Sequence, residues 1–151
     1  MSRKKEKSVN RARILLAEDH DEMRDQIKRL LEQEFDVLES VENGLALLES
    51  AAKLSPDVCL LDIAMPILNG IETATRLRQA GSNAKIVFLT NHDDLDLLQA
   101  ALDTGASGYV LKWRMALDLR CAINEALAGR TFISASLARG VKPEPTTESP
   151  F

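Results

Sequence analysis

The sequence predicts an α/β fold in which a parallel sheet is covered by helices on both faces. Three observations carry that expectation. Short apolar runs alternate with amphipathic stripes five times along the chain, the pattern of repeated strand–helix units. Two of the runs, at 58–61 (Val-Cys-Leu-Leu) and 86–89 (Ile-Val-Phe-Leu), are apolar at every position, so neither face of those strands is meant for water. Gly81, Gly105 and Gly129 each fall where a helical stripe gives out.

The elements follow in chain order. Ile-Leu-Leu-Ala at 14–17 reads as the first strand, and Met23, Ile27, Leu30 and Leu31 recur at the spacing of one helix face. The second strand lies at 37–41 and is followed by a helix whose apolar positions are Leu45, Leu48 and Ala52. After the strand at 58–61, Ile71, Ala74 and Leu77 mark a third helix. The strand at 86–89 leads into a fourth helix carrying Leu95, Leu98, Ala101 and Leu102. Tyr-Val-Leu at 109–111 is the fifth strand, and Leu119, Ala122, Ile123, Ala126 and Leu127 stripe the fifth helix.

At 151 residues and 45% apolar content, the chain has material for one domain with a full core, and 4% aromatics means a core of Leu, Ile, Val and Ala. The net charge of −4 argues against nucleic acid as the main partner of the folded body. No apolar run approaches the length of a membrane span and no signal-type apolar stretch opens the chain, so the cytoplasm is the expected address. Basic residues gather at Arg3, Lys4, Lys5, Lys7, Arg11 and Arg13. Residues 1–10 therefore read as a disordered basic leader, with an arm touching nucleic acid or membrane as the alternative. The Pro/Thr/Glu-rich stretch at 139–151 reads as a disordered tail, which leaves a domain at 11–138. Cys59 and Cys121 have no metal-type spacing and fall in apolar patterns, so both are expected to be buried reduced thiols.

Ligands of an open parallel sheet bind beyond the carboxyl ends of its strands. Glu18 and Asp19 follow the first strand, Asp62 the third, Thr90 ends the fourth, and Lys112 follows the fifth. Three carboxylates, a hydroxyl and an ammonium thus converge on one edge. Any one of these acids alone is an ordinary loop residue; the set is not. Two unit charges about 4 Å apart repel by about 4 kcal/mol at an effective dielectric of about 20. That is large against a folding stability of roughly 5–15 kcal/mol. A close acidic cluster calls for a cation, and oxygen ligands point to magnesium.

The residues at these positions resemble the receiver domains of two-component response regulators. The matching pieces are Ile-Leu-Leu-Ala-Glu18-Asp19-His20, Leu61-Asp62-Ile-Ala-Met65-Pro66 with Gly70 after it, Phe88-Leu89-Thr90, and Gly108-Tyr109-Val110-Leu111-Lys112. The Gly-Ala-Ser-Gly-Tyr-Val-Leu-Lys stretch and the later Ala-Gly-Arg-Thr-Phe-Ile-Ser look most like the NarL/FixJ branch. The resemblance implies a flavodoxin-like (CheY-like) doubly wound sheet of five parallel strands in the order 2-1-3-4-5, with five flanking helices. It implies that Asp62 is the phosphoacceptor, and that Glu18, Asp19, Asp62 and the carbonyl of Ala64 hold Mg2+. Thr90 would be the switch hydroxyl, Tyr109 the switch aromatic, and Lys112 the cation that pairs with the phosphoryl group. A sensor histidine kinase would be the donor, with no enzymatic turnover beyond self-catalysed transfer and autodephosphorylation. The fourth helix, fifth strand and fifth helix would form the output surface, used for a partner or a homodimer; the first and fifth helices are the alternative dimer face. The physical chemistry agrees, because a carboxylate is a competent nucleophile toward phosphorus and such transfer is mostly positioning and charge neutralisation.

Two other readings compete. A haloacid-dehalogenase-type phosphatase also uses a strand-end Asp with magnesium, but wants a general acid two residues on, where this chain has Ala64. A pseudo-receiver that never takes phosphate is the other, and the presence of all five pocket residues argues against it. His20 and His92 flank the pocket and are set aside as ordinary loop histidines. Gly105-Ala-Ser-Gly108 follows a helix and precedes a strand, the reverse of a dinucleotide loop. Trp113 departs from the small or polar residue expected after the lysine and is read as a helix-packing residue, with a partner contact as the alternative. Relatives of this branch usually continue into a LuxR-type helix-turn-helix; no recognition-helix pattern occurs in these residues, so the sequence reads either as a stand-alone receiver or as a piece of a longer protein, and no direct DNA contact is expected from it.

Overall fold

The computed structural model of the chain describes residues 11–135. The expected leader at 1–10, the expected tail at 139–151 and the stretch 136–138 of the expected domain lie outside the described residues. Strands and helices alternate: β1 (Arg13–Ala17), α1 (Asp21–Glu32), β2 (Asp36–Val41), α2 (Gly44–Leu54), β3 (Val58–Asp62), α3 (Gly70–Gln79), β4 (Lys85–Thr90), α4 (Leu95–Leu102), β5 (Gly108–Leu111), a 3-10 turn (Lys112–Arg114), α5 (Met115–Leu127) and β6 (Phe132–Ile133). The strands form one parallel sheet in the order β2-β1-β3-β4-β5-β6. Its first five strands have the expected 2-1-3-4-5 order.

The sheet has two dry faces because its strands alternate between them. Leu15, Ala17, Cys59, Leu61, Ile86, Phe88, Tyr109 and Leu111 face one core with Leu47, Ala74, Leu77, Leu98 and Ala101. Ile14, Leu16, Val58, Leu60, Val87, Leu89 and Val110 face the other with Ile27, Leu31, Leu119, Ala122, Ile123 and Ala126. Burying each such Leu or Ile contributes roughly 1.5–3 kcal/mol. The two faces therefore lock every strand end at a fixed height, which is what a site assembled from strand ends requires. Gly81, Gly105 and Gly129 end their helices at positive φ, where only glycine sits without strain.

The structure departs from the sequence reading at several positions. A sixth strand, Phe132–Ile133, lies on the open edge of β5. Two residues are too few to show a period, and pairing with β5 is what makes them a strand. In α2 the core face is Gly44, Leu47 and Ala51, whereas Leu45 and Ala52 are exposed. The helix has leucine on two adjacent stripes, and a close approach chooses between them: a Cβ on Gly44 would lie 2.0 Å from Thr73 Oγ1 of α3. Leu95 and Leu127, both read as stripe residues, are likewise largely exposed. Trp113 does not pack into the core; it stands 67% exposed on the 3-10 turn, because that turn points the residue after Lys112 outward.

The two cysteines also part company. Cys59 is buried in β3, where burial pushes its thiol up to about 12, but Cys121 is exposed on the outer side of α5. An aromatic-disulfide thiol reagent should therefore titrate one thiol in the native protein, lost in Cys121→Ser, and a second only on unfolding. Two fast-reacting thiols under native conditions would contradict this placement.

Candidate functional site

The candidate residues sit where the strands stop. Glu18 extends β1 by one residue, its N–H donating to Val41 O of β2 at 3.0 Å, and its carboxylate is buried. Asp62 is the last residue of β3 and is 4% exposed. Thr90 is the last residue of β4 and is buried; Lys112 begins the turn after β5 and is 7% exposed.

Lys112 joins the two acids from separate strands. Its Nζ lies 2.8 Å from Glu18 Oε1 and 3.3 Å from Asp62 Oδ2. Burial pulls the ammonium pKa down, but contact with Glu18 and the charge of Asp62 outweigh it and leave the group above its ordinary value. Asp62 goes the other way for an acid. Burial first, and the charge of Glu18 second, raise its carboxyl from 3.8 to about 6 against the opposing pull of Lys112. Asp62 Oδ1 accepts the N–H of Ala64 at 3.2 Å, which fixes the carboxylate over the following loop.

That loop is held close. Gly70 opens α3 with its N–H on Ile63 O at 2.8 Å, and a Cβ on Gly70 would lie 2.4 Å from Asp62 O. Glycine is therefore required for α3 to start directly beneath the acid. Within the loop, exposed Ile67 takes a φ of 72°, rare for a β-branched residue, while Leu68 N–H donates to Pro66 O at 2.7 Å. The helix then begins on Asn69, whose side chain accepts Glu72 N–H at 2.8 Å.

The donor set fits a hard divalent cation. Glu18 and Asp62 face one ammonium and Asp19 lies beside Glu18 and His20, so the acids outnumber the lysine. Glu18 Oε1 is met by the Lys112 ammonium at 2.8 Å, whereas Asp19 Oδ1 is buried without a hydrogen bond among the described residues. Buried carboxylate oxygens without donors are costly unless a cation meets them. Oxygen-only donors of this kind suit magnesium.

Two histidines take parts that the sequence did not show. The ring of His20, 75% exposed, has Nδ1 3.3 Å from Glu18 Oε2 and 3.4 Å from Asp19 Oδ1, so the first loop forms its own Glu18–Asp19–His20 cluster. His92 works through its backbone. Its N–H donates to Thr90 Oγ1 at 3.1 Å and its carbonyl accepts the Tyr109 hydroxyl at 3.1 Å. The backbone of one residue thus links the hydroxyl at the end of β4 to the aromatic of β5, and a sequence carries no signal for a main-chain bridge. Tyr109 is fully buried, and burial followed by the nearby charges of Asp94 and Asp93 raises its phenol to about 12. Glu18, Asp62 and Lys112 are therefore in mutual reach, Asp19 lies beside Glu18 and His20, and Tyr109 is turned into the core.

Comparison with known proteins agrees with this architecture. Residues 14–124 match the family model described as response regulator receiver domain. The transcriptional regulatory protein DegU of Brevibacillus brevis is 36% identical over 137 residues, covering 89% of this chain and 58% of DegU. The nitrate/nitrite response regulator protein NarL of Escherichia coli is 38% identical over 130 residues, covering 83% of this chain and 59% of NarL. The chain therefore spans somewhat over half the length of these two relatives. A two-component response regulator of the LuxR family from an Aurantimonas species superposes with a TM-score of 0.82 at 31% identity, covering 86% of this chain and 94% of that one. The isolated REC domain of RcsB from Salmonella enterica serovar Typhimurium, solved in the presence of the phosphomimetic BeF3−, gives 0.81 at 28% identity, covering 88% and 100%. The parallel 2-1-3-4-5 core, the acids and lysine at its strand ends and these matches lead to one conclusion: the chain belongs to the receiver-domain family of two-component response regulators.

Proposed function

We infer that Asp62 is the residue that takes the phosphoryl group, from a histidine kinase, and that Lys112, Thr90 and Tyr109 report the event. The observation that carries this reading is the buried Glu18–Lys112–Asp62 contact at the carboxyl end of the sheet. An oxygen of Asp62 attacks the phosphorus of a phosphohistidine. The P–N bond breaks, the imidazole nitrogen keeps the bonding pair, and an acyl phosphate remains on Asp62. Glu18, Asp19, Asp62 and the Ala64 carbonyl would hold Mg2+, which supplies neutralising charge when bound. Lys112 stabilises the phosphoryl oxygens from the opposite side, since an ammonium already 3.3 Å from Asp62 needs little movement to reach them.

The new charge competes for two groups with existing partners. Lys112 is drawn from Glu18 toward the phosphoryl group, and the Thr90 hydroxyl, which accepts from His92 N–H, swings away from that N–H to donate its own proton to the same group. Releasing His92 loosens the carbonyl that holds the Tyr109 hydroxyl, so the aromatic is freed to turn. The surface between α4 and α5 would read the change. It carries exposed Leu95, Trp113 and Leu117, apolar groups suited to a partner or a second copy. Transcription control is the expected output, in line with the transcriptional regulatory protein DegU. Among the described residues no helix is long and apolar enough to cross a membrane, and the reading places the protein in the cytoplasm without enzymatic turnover.

Three outcomes test this reading. Incubation with phosphoramidate and Mg2+ should add one phosphoryl mass, absent in Asp62→Asn; an unchanged wild-type mass would leave the pseudo-receiver standing. Lys112→Ala should weaken the conformational response to phosphorylation, followed by amide spectra, at least tenfold more than it weakens Mg2+ binding, and the opposite ordering would remove Lys112 from its role. The third concerns stability. Because the folded Asp62 carboxyl titrates at about 6 rather than 3.8, the folded state binds its proton more tightly than the unfolded chain. Stability from this group falls as pH rises from about 4 to about 6, and the full penalty stands above that. Asp62→Asn should therefore gain on the wild type across that window, by on the order of 2 kcal/mol at pH about 7 without divalent ions. Urea denaturation with and without Mg2+ reads this directly, and a variant less stable than wild type at pH about 7 would contradict it.

A further inference from the structure

Lys112 has a long, flexible side chain, so its reach to Glu18 and Asp62 depends on how firmly its backbone is held. Both flanks of Lys112 are gripped by one buried network. On the upstream side, Ser134 brackets β5: its N–H donates to Tyr109 O at 3.0 Å, and its Oγ accepts Leu111 N–H at 3.1 Å. On the downstream side, Arg114 of the 3-10 turn donates through Nε to Asp118 Oδ2 at 2.8 Å and through its second nitrogen to Oδ1 at 3.3 Å. The Ser134 hydroxyl closes the circuit by donating to Asp118 Oδ2 at 2.9 Å. Ser134 is fully buried and Asp118 is 7% exposed, so water competes poorly for these bonds.

We propose that Ser134 and Asp118 are positioning residues for Lys112: the segment after α5 docks on the edge of β5 to fix the lysine at the height of Asp62. The proposal rests on the role assigned above to Lys112 and extends it to a segment outside the pocket acids Glu18, Asp19 and Asp62. Edge closure by β6 needs only backbone pairing, which Phe132 N–H to Ser107 O and Ser134 N–H to Tyr109 O already supply. A side-chain circuit ending on the residue before Lys112 and on the second residue after it is additional to that. Each of its members is satisfied by another, and loss of the hydroxyl leaves Leu111 N–H and one Asp118 oxygen without this partner. The acids stand on β1 and β3, which β6 does not touch, so the network acts on the ammonium and not on the metal-binding carboxylates.

The experiment measures phosphoryl incorporation from phosphoramidate into the full chain, together with Mg2+ affinity, for wild type, Asp62→Asn, Ser134→Ala, Ser134→Thr and Asp118→Asn. Misplacing a catalytic group by a fraction of an ångström to one ångström costs roughly ten- to a hundredfold in rate. Ser134→Ala should therefore slow incorporation about tenfold at saturating Mg2+ while the Mg2+ Kd stays within about twofold. Ser134→Thr, which keeps the hydroxyl, should recover most of the rate, and Asp118→Asn, which keeps the shape and loses the charge, should slow it less than Ser134→Ala. Wild-type rates in Ser134→Ala and Asp118→Asn, or Mg2+ affinity falling in step with rate, overturn the proposal. If Ser134→Ala loses its native circular dichroism, Asp118→Asn decides the matter. A wild type that gains no phosphoryl mass overturns the phosphoacceptor reading and this proposal with it, an outcome distinct from variants that match a competent wild type.

Discussion

The contact on which the site depends is the buried ammonium of Lys112 between Glu18 and Asp62. Strand ends bring Glu18 and Asp62 to one ammonium, with Asp19 beside Glu18, and burying like charges near one another is unfavourable unless something opposite lies between them. One ammonium offsets part of this and leaves the pocket negative. Burial first and the charge of Glu18 second raise the Asp62 carboxyl, and Asp19 Oδ1 is left without a hydrogen bond among the described residues. The same imbalance is what a divalent cation relieves and what an incoming phosphoryl group redistributes. Stability is traded for responsiveness at this point of the fold.

The surrounding structure holds that contact in place. Gly70 lets α3 begin against the carbonyl of Asp62, at a distance that any Cβ would close. His92 is clasped by Thr90 on one side and Tyr109 on the other, so the end of β4 and the interior of β5 are joined through the backbone of one residue. On the far edge, Ser134 holds Leu111 just before the lysine and Asp118 holds Arg114 just after it, with Ser134 donating to Asp118. One of these constraints follows β3, one follows β4 and one follows α5.

The five strands and five helices were legible because burial imposes a period: β3 and β4 are apolar throughout, and α1 and α5 carry their stripes at helical spacing. The positions of the acids, Thr90 and Lys112 were legible for a related reason, since a parallel sheet places whatever follows each strand on one edge. Other features were not. Leu45 and Leu47 are equally apolar, and only the contact of Gly44 with α3 selects which faces inward. Cys121 lies among apolar residues yet points outward, because α5 buries a single stripe and Cys121 is off it. Phe132–Ile133 is too short to declare itself and becomes a strand through the edge it finds.

By itself the sequence determined the order of elements, the two-faced core and the set of chemical groups at the strand ends, since each of these follows from local periodicity and from where each apolar run stops. Tertiary structure alone decided that Lys112 faces both Glu18 and Asp62, that the backbone of His92 joins Thr90 to Tyr109, and that Ser134 reaches Asp118. These are distances between segments far apart in the chain, and they are set by how strands pair and helices pack, which no local pattern specifies.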